Sequence, residues 1–371
     1  MALAILSQPG EIQPVYSIQK YELYDAVRAG NAGLYYQLDI TIDGETRYIK
    51  QLPDENKKAI IDVQTILQSF FESNIVVHDS LLLDNSSGLK SYDIVAHSYV
   101  GATDSSVTVL DKWVFNGVDL YNRMWDADNY IFDGDGSNNF LTKWTSPREI
   151  HLGDDLFVQF LQGDFGTYES DFTGLEITKY DFNGDTSTHE IILSLSTDPS
   201  ILSMNIGPNA LNVDSSISID SSTQYYIVKE LGGDSVSLRV NLVTSDTRYD
   251  EYYRFYYTGS LGETEAFNFD LTPSNTIGIS KVSYVNDRTQ RAFGTTVRDS
   301  YVATSNWMCE ETSENLKELW ITPKAELYLN EIYIPIIITE SSKQILNRKN
   351  QKLINYTIAY SYAEEYSVQA Q

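Results

Sequence analysis

Apolar and polar residues alternate with a period of two along much of the chain, and this spacing is typical of half-buried β-strands. One such segment has apolar residues at Tyr36, Leu38, Ile40 and Ile42. The pair Asp43-Gly44 follows it, and a second alternating segment runs from Glu45 to Lys50. Because Asp-Gly favours the type I′ turn of a two-residue hairpin, we expect a β-hairpin over residues 36–50.

Apolar segments of strand length recur downstream, with Gly, Asn and Asp clusters between them; examples are residues 155–161, 238–243 and 252–257. Many short strands separated by turn residues are typical of β-sandwiches and barrels. The sequence contains no repeat of fixed period, which argues against a solenoid or a propeller. We therefore expect a mainly β protein with two or three β-sandwich-like domains and a few short helices.

Polar spacers near Gly101 and Pro208 suggest where the domains divide. The expected units are an N-terminal β domain with one amphipathic helix (1–100), a middle β-sandwich-like domain (101–207) and a C-terminal β domain with a short helix (208–371).

Two segments predict helices. After Pro53-Asp54-Glu55, apolar residues recur at helical spacing, at Ile60, Val63, Ile66, Leu67, Phe70 and Phe71. This stripe predicts a core helix that packs on a sheet. In the second segment, Thr322-Pro323 supplies a capping hydroxyl and a proline at the first helical position, so we expect a short helix over Ala325 to Glu331.

Both ends of the chain offer contact surfaces. The last alternating segment, from Ile354 to Tyr362, places tyrosines along one side of a predicted strand. That row either pairs within a sheet of the same chain or packs against a neighbouring subunit. Residues 1–16, which include Pro9 and Pro14, are expected to form a leading strand or an arm that reaches a neighbour.

The charge of the chain excludes several partners. The 371 residues include 26 Lys and Arg against 52 Asp and Glu, a net charge of −26. Because nucleic-acid backbones and anionic membrane surfaces repel so acidic a protein, we expect it to bind neither. No apolar run approaches the ~20 residues of a membrane helix, so we expect a soluble protein without a membrane span, made in a cytoplasm.

The sequence offers no catalytic constellation, so we expect no enzyme activity, no cofactor and no resident metal. The four histidines, His78, His97, His151 and His189, lack the spacing of a metal-ligand pair. Neither a GxSxG elbow nor a phosphate-binding P-loop occurs. The single cysteine, Cys309, follows Trp307-Met308, and this apolar setting predicts a buried, inert thiol.

Two weaker candidates concern ligands. An acidic loop could supply oxygen ligands to calcium, although its spacing differs from the EF-hand and a solvated turn fits it better. Its members are Asp126, Asp128, Asp133, Asp135 and Asn138. The aromatic residues Trp125 and Trp144 would suit a sugar platform, and they would suit a sandwich core equally well.

Several segments, in the same order, resemble virion structural proteins of tailed phages that infect Bacteroidetes. The N-terminal segments are Ser7–Tyr16, the hairpin with Asp43-Gly44, Leu52-Pro53-Asp54 and Ile61–Ser69; the later ones are Phe140-Leu-Thr142, Asp155–Leu161, Leu319–Pro323, Ile334–Ser342 and Leu353–Ala363. Together they cover about half of the chain. Residues 257–269 depart from the family pattern, since they keep only a glycine and Phe267-x-Phe269.

The resemblance implies assembly and not catalysis: an oligomeric tail, baseplate or spike component, located in the virion and assembled in the host cytoplasm. Its implied partners are further copies of the chain and other virion proteins. A first alternative is a module that binds a host-surface glycan through exposed Tyr and Trp. A second is a polysaccharide depolymerase, which the lack of a β-helix repeat disfavours.

Overall fold

The structure is a computed structural model that describes residues 3–72, 75–117, 125–132, 139–144, 147–214, 217–232, 236–243, 252–286, 289–339, 354–363 and 366–369. In the N-terminal third the strands are β1 Leu3–Ser7, β2 Ile12–Pro14, β3 Lys20–Asp25, β4 Leu34–Ile42, β5 Glu45–Gln51, β6 Lys58–Asp62, β7 Leu82–Asp84, β8 Leu89–Val100 and β9 Thr103–Phe115. The middle strands are β10 Arg148–Ile150, β11 Phe157–Gln162, β12 Gly174–Asp181, β13 Thr186–Ile192, β14 Ser200–Asn205, β15 Thr223–Glu230 and β16 Leu238–Leu242. The C-terminal strands are β17 Tyr253–Thr258, β18 Thr264–Phe269, β19 Leu271–Asn286, β20 Thr289–Thr304, β21 Ala325–Leu329, β22 Ile332–Ile338, β23 Thr357–Tyr362 and β24 Tyr366–Gln369.

The helices are few and short: α1 Gln64–Gln68, α2 Pro208–Asp214, α3 Glu310–Asn315 and α4 Lys317–Ile321. Strands account for 52% of the chain and helical residues for 9%, which confirms the prediction of a mainly β protein with several sheets. The longest helix that the structure describes has seven residues, too short to cross a membrane.

Five sheets form the part of the fold that the structure describes. Their strand orders are β1-β3-β6, β2-β9-β8-β4-β5, β11-β14-β7, β10-β16-β15-β12-β13, and β18-β17-β21-β22-β23-β20-β19 with β24 added beside β20. Most neighbouring strands are antiparallel, whereas β2 lies parallel to β9 and β10 lies parallel to β16.

The N-terminal sandwich contains the predicted hairpin. Strand β4 alternates strictly between buried and half-buried residues, and it pairs with β5 in the expected register, Ile42 opposite Glu45. Asp43 and Gly44 have φ angles of 51° and 78°, as a type I′ turn requires. The first two sheets enclose one core, in which Tyr36, Leu38 and Ile40 are fully buried.

Gly44→Ala is expected to lower the free energy of unfolding by about 1 kcal/mol, because alanine adopts a positive φ reluctantly. The added methyl group meets no atom within 4 Å, so only the backbone conformation opposes it. Gly30→Ala is the matched control, since Gly30 also lies in open space and has no positive φ. Urea unfolding of both variants measures the difference; equal stabilities would contradict the role of the turn.

Residues 3–15 belong to this fold, which confirms the predicted leading strand, whereas the alternative of an arm that reaches a neighbour is wrong. Strand β1 pairs with β3, and β2 pairs with β9 about 100 residues later. Ile12 and Val15 are at most 1% exposed, because both side chains enter hydrophobic cores of the chain itself.

The segment after Pro53 contains a strand, β6, followed by the short helix α1. The long predicted helix is therefore wrong in its first half. Residues 58–62 form β6, in which Ala59 and Ile61 are buried while Ile60 is 59% exposed. Pairing with β3 fixes this period of two. Only α1 is helical, and Leu67 lies in the core as expected.

The cores continue across both suggested domain boundaries. Gly101 lies in the turn between β8 and β9, two long strands of one sheet that pair along most of their lengths. A second core fills the space between the β11 and β12 sheets, and it includes Leu202 and Met204 before residue 207 as well as Leu211 and Val228 after it.

The C-terminal sheet packs its inner face against α3 and α4. The predicted helix over 325–331 is instead β21, which pairs with β17 and β22. Ala325 and Leu327 are buried while Glu326 and Tyr328 are only partly so, and this alternation marks a strand. The helices lie earlier, and Thr322 ends α4.

The tyrosine row of the last predicted strand faces the interior, which confirms the alternative that it pairs within a sheet of the same chain. The alternative of a contact surface for a neighbouring subunit is wrong. Strand β23 lies between β22 and β20. Tyr356 is 3% exposed and Tyr360 is fully buried, packed against Phe255 and Tyr301.

Candidate ligand-binding cleft

A cleft of about 290 Å³ opens where the middle and C-terminal parts of the fold meet. Strand β10 and the residue after it form one wall, the end of β18 forms a second, and residues 306–312 form the third. The first wall lies more than 100 residues before the other two in sequence, so the cleft exists only in the folded chain.

Aromatic side chains supply the apolar surface of the cleft. Trp144 is 5% exposed and packs against the half-buried Phe267, with ring centroids 6.1 Å apart. Trp307 lies on the opposite segment and is 60% exposed, which is unusual for so large an apolar side chain. The indole Nε1 of Trp144 is buried and has no hydrogen-bond partner within the described chain.

Besides Arg148 and Cys309, the ionisable residues that line the cleft are Glu149, His151 and Asp270. His151 Nε2 lies 3.6 Å from Asp270 Oδ1, too far for a hydrogen bond, and both atoms are buried without a hydrogen-bond partner in the described chain. Glu149 keeps access to solvent through the cleft, yet partial burial by the surrounding protein raises the pKa of its carboxyl group. The negative charge of nearby Asp270 raises this pKa further. Unsatisfied polar atoms in a cavity are available to a ligand.

Tyr252 and Asp154 fix the position of the His151 ring. Tyr252 stacks on it with centroids 4.0 Å apart, and the Tyr252 hydroxyl donates a 2.6 Å hydrogen bond to Asp154. Asp154 also accepts from the backbone N–H of His151 at 2.8 Å. Burial and the Asp154 carboxylate raise the pKa of Tyr252, so this donor stays protonated.

Among the described residues that line the cleft Arg148 is the one arginine, and its charge is already neutralised. Arg148 forms a two-pronged ion pair with the buried Glu265, and its guanidinium lies 4.3 Å from the Trp144 ring centroid. Thr142 donates a 2.6 Å hydrogen bond to the same carboxylate. The charges left open to a ligand are therefore those of Glu149 and Asp270, which repel an anion.

This arrangement suits a neutral, hydroxyl-rich ligand. The apolar C–H face of such a ligand can lie on the exposed ring of Trp307, while Asp270, Glu149 and His151 accept or donate hydrogen bonds to hydroxyl groups. Within the described residues, no group of three or more His, Cys, Asp or Glu side chains could hold a metal ion.

The structure places one of the two predicted sugar-platform tryptophans in the cleft. Trp144 lines it, whereas Trp125 stacks on Tyr130 and donates a hydrogen bond to the Ile12 carbonyl in a separate core. In the acidic loop, the Asp126 carboxylate accepts from the backbone N–H of Asp128 at 3.4 Å, at the start of a short 3-10 turn. Asp133, Asp135 and Asn138 lie outside the described residues.

The histidines divide into different roles. His78 bonds to Ser80 and Ser203, and His97 lies between Asp39 and Asp104 on the outer face of a sheet. His189 sits on the edge strand β13, half-buried, while His151 lines the cleft.

Cys309 differs from its prediction, because its thiol is exposed at the cleft and lies 3.2 Å from the Thr312 hydroxyl. Sequence reasoning also missed Glu149, Asp270 and Trp307 as members of a site. The one available signal was Trp307, an aromatic residue outside any alternating segment.

Comparisons with known proteins identify no family. No family model matches the sequence, and no curated protein matches it. A solved structure of the plexin A4 full extracellular region aligns with 98% of this chain at 8% identity and a TM-score of 0.19. The chain spans about 39% of that plexin chain, and a likeness this weak carries no argument about fold or function.

Proposed function

We propose that the chain is a structural protein of a phage virion, a tail, baseplate or spike component that forms a homo-oligomer and contacts other virion proteins. The observation that carries the proposal is the ordered set of segments that resembles virion proteins of phages infecting Bacteroidetes. It includes the β4–β5 hairpin and the apolar segments of β11, β22 and β23. The location is the virion, with assembly in the host cytoplasm.

Two properties of the molecule support this assignment. Its cores run from the N-terminal sandwich into the middle and C-terminal sheets, which suits a rigid building block. Its acidic composition, with a net charge of −26, fits a protein that associates with proteins and not with the packaged genome.

The native mass of the purified chain and its presence in particles test the proposal. Light scattering should give a multiple of 42.0 kDa, and antibodies against the chain should label purified virions of the phage that encodes it. A chain that stays a 42.0 kDa monomer and is absent from virions would overturn it.

A second candidate function, favoured by the cleft, is recognition of a host-surface glycan. The combination of Trp144, Trp307 and unpartnered polar atoms on His151 and Asp270 is the specific observation behind it. Because Glu149 and Asp270 leave the cleft acidic, we propose neutral or amino sugars as its ligands and exclude uronic acids and other anionic sugars.

Trp307→Ala is expected to weaken binding of neutral oligosaccharides at least tenfold, since it removes an exposed aromatic face worth about 1.4 kcal/mol or more. The fold should be unaffected, because the side chain is 60% exposed. Calorimetric titration with a panel of neutral, amino and uronic oligosaccharides measures the change.

Trp113→Phe is the matched control, because Trp113 packs edge-on against Phe165, far from the cleft. It should leave the affinity unchanged. Absence of millimolar binding to every neutral and amino sugar by the unmodified chain would reject the glycan function and leave the assembly proposal standing.

A further inference from the structure

The longest hairpin among the described residues consists of β19 and β20, called here the hairpin arm. Each strand has 16 residues, so the arm is about 50 Å long. Strand β19 closes the C-terminal sheet and makes its close contacts with β20. On its other side, β20 pairs with β23 over Tyr301–Thr304 and with β24 over Gly294–Val297.

The tip of the arm is a two-stranded ribbon. Beyond Gly294, where β24 ends its pairing, the described ladder contains only Ser283–Asn286 opposite Thr289–Ala292. A two-stranded ribbon is at best marginally stable in water unless a third strand or a packed layer supports it. The described ladder gives the tip no third strand, so a surface packed against it would stabilise it.

The charge of the arm is opposite to that of the rest of the chain. Its two strands contain Lys281, Arg291 and Arg298 against the single acid Asp299. The remaining residues include 23 basic and 51 acidic ones. An acidic protein surface thus attracts the arm, and a second copy of this chain supplies such a surface.

The outer edge of β19 is unsuited to continuous strand addition. Two register shifts interrupt the pairing of β19 with β20, one between Leu271 and Ser274 and one between Val282 and Ser283. Pro273 lies within the first of these shifts. Lys281 is exposed on the same strand. Prolines, lysines and bulges are the features by which natural sheets block edge pairing. A contact between the arm and another protein surface would therefore use the two faces of the ribbon and its charged residues, and not the edge of β19.

We propose that the hairpin arm docks on the acidic surface of a neighbouring copy and holds the oligomer together. This inference rests on the proposed function, and it specifies which part of the chain makes the contact. Because an arm on one copy meets a different surface on the next, the contact is head-to-tail, which generates rings when it closes.

Two variants test the inference in the full chain. The first replaces residues 283–293 by Asn-Gly, which removes the tip, keeps the β24 partners and closes the ribbon with a type I′ turn. The second, Lys281→Glu with Arg291→Glu and Arg298→Glu, keeps the length of the arm and reverses its charge. Arg47→Glu with Lys50→Glu and Lys324→Glu is the control, with the same charge change outside the arm.

Sedimentation analysis across protein and salt concentrations gives the readout. We expect the trimmed and charge-reversed chains to associate at least tenfold more weakly than the unmodified chain, with unchanged circular dichroism, and the control to associate as before. Raising the salt should weaken association of the unmodified chain.

The possible failures are distinguishable. If the unmodified chain is oligomeric and both arm variants associate equally well, the inference about the arm is overturned and the proposed oligomer stands. If the unmodified chain is a monomer at every concentration, the homo-oligomer itself is rejected, and the arm with it.

Discussion

Replacing Arg254 by methionine is expected to lower the free energy of unfolding by about 3–5 kcal/mol, the largest effect of any single substitution considered for this chain. Arg254 is 2% exposed, and its partner Asp154 is 3% exposed at a distance of 3.1 Å. Removing the guanidinium leaves a carboxylate buried without its counter-charge, which costs far more than the ion pair contributes.

Arg254 donates several further hydrogen bonds, and a methionine at this position would replace none of them. Its Nη1 also donates to Asn268 at 2.7 Å, its Nε donates to the Tyr256 hydroxyl at 2.9 Å, and its Nη2 donates to the Asp155 carbonyl. Burial alone would raise the pKa of Asp154, but Arg254 and the hydrogen bonds around the carboxylate hold that pKa below its ordinary value.

Urea unfolding with two further variants measures the contribution. Lys229→Met breaks the partly exposed pair between Lys229 and Glu176, 3.0 Å apart, and should cost no more than about 1 kcal/mol. Asp154→Asn combined with Arg254→Met removes both charges and should be more stable than Arg254→Met alone. Equal losses for Arg254→Met and Lys229→Met would show that the buried network is not a major determinant of stability.

The second large effect concerns pH. Glu263 is fully buried, and burial followed by repulsion from Glu318 raises the pKa of its carboxyl group well above the ordinary value. Burial also raises the pKa of Glu318, against a hydrogen bond from Ser260 and the charge of Lys143. The other charged neighbour, Glu265, is paired with Arg148. Burial and the repulsion from Glu318 therefore favour a proton on Glu263.

The sign of the pH dependence follows from this proton. In the unfolded chain Glu263 loses it near the ordinary pKa of 4.5, whereas the folded chain retains it to higher pH. The stability due to the raised pKa is complete below about pH 4.5 and is lost as the pH rises toward the folded pKa, by up to about 1.4 kcal/mol per pH unit.

Glu263→Gln is expected to raise the free energy of unfolding by about 1–2 kcal/mol at pH 7.5 and to leave it unchanged at pH 4, because glutamine is neutral in both states. Glu190→Gln, on the exposed strand β13, is the control and should change stability at neither pH. Urea titrations between pH 4 and pH 8 measure both. A Glu263→Gln curve parallel to that of the unmodified chain would contradict a raised pKa of Glu263.

The parts of the fold that local sequence determines were predictable. The β4–β5 hairpin follows from strict alternation and from Asp43-Gly44, because both the strands and the turn are specified within 18 consecutive residues. Residues 58–62 satisfy a helical and a strand pattern alike, since Ala59, Ile60 and Ile61 are all apolar. Only the distant partner β3 decides between the two, and the sequence pattern does not contain that information.

The cleft was predictable in one residue only. Trp144 stood out as an aromatic side chain near acidic residues. Glu149, Asp270 and Trp307 come from three different segments, and only the folded chain brings them together in one cleft. The tyrosine row after Ile354 shows the opposite failure. Its alternation correctly predicts a strand with one uniform face, yet alternation does not tell whether that face meets the chain's own helices or another subunit.

Strand β7 belongs to the middle sheet, although its sequence neighbours on both sides belong to the N-terminal sandwich. Its only partner in the described chain is β14, more than 110 residues later. During synthesis on the ribosome, residues 82–84 emerge long before Ser200–Asn205 and wait unpaired until that segment has been translated. All strands of the N-terminal sandwich have thus been synthesised, with β7 still unpaired, well before the middle sheet that includes β7 can form.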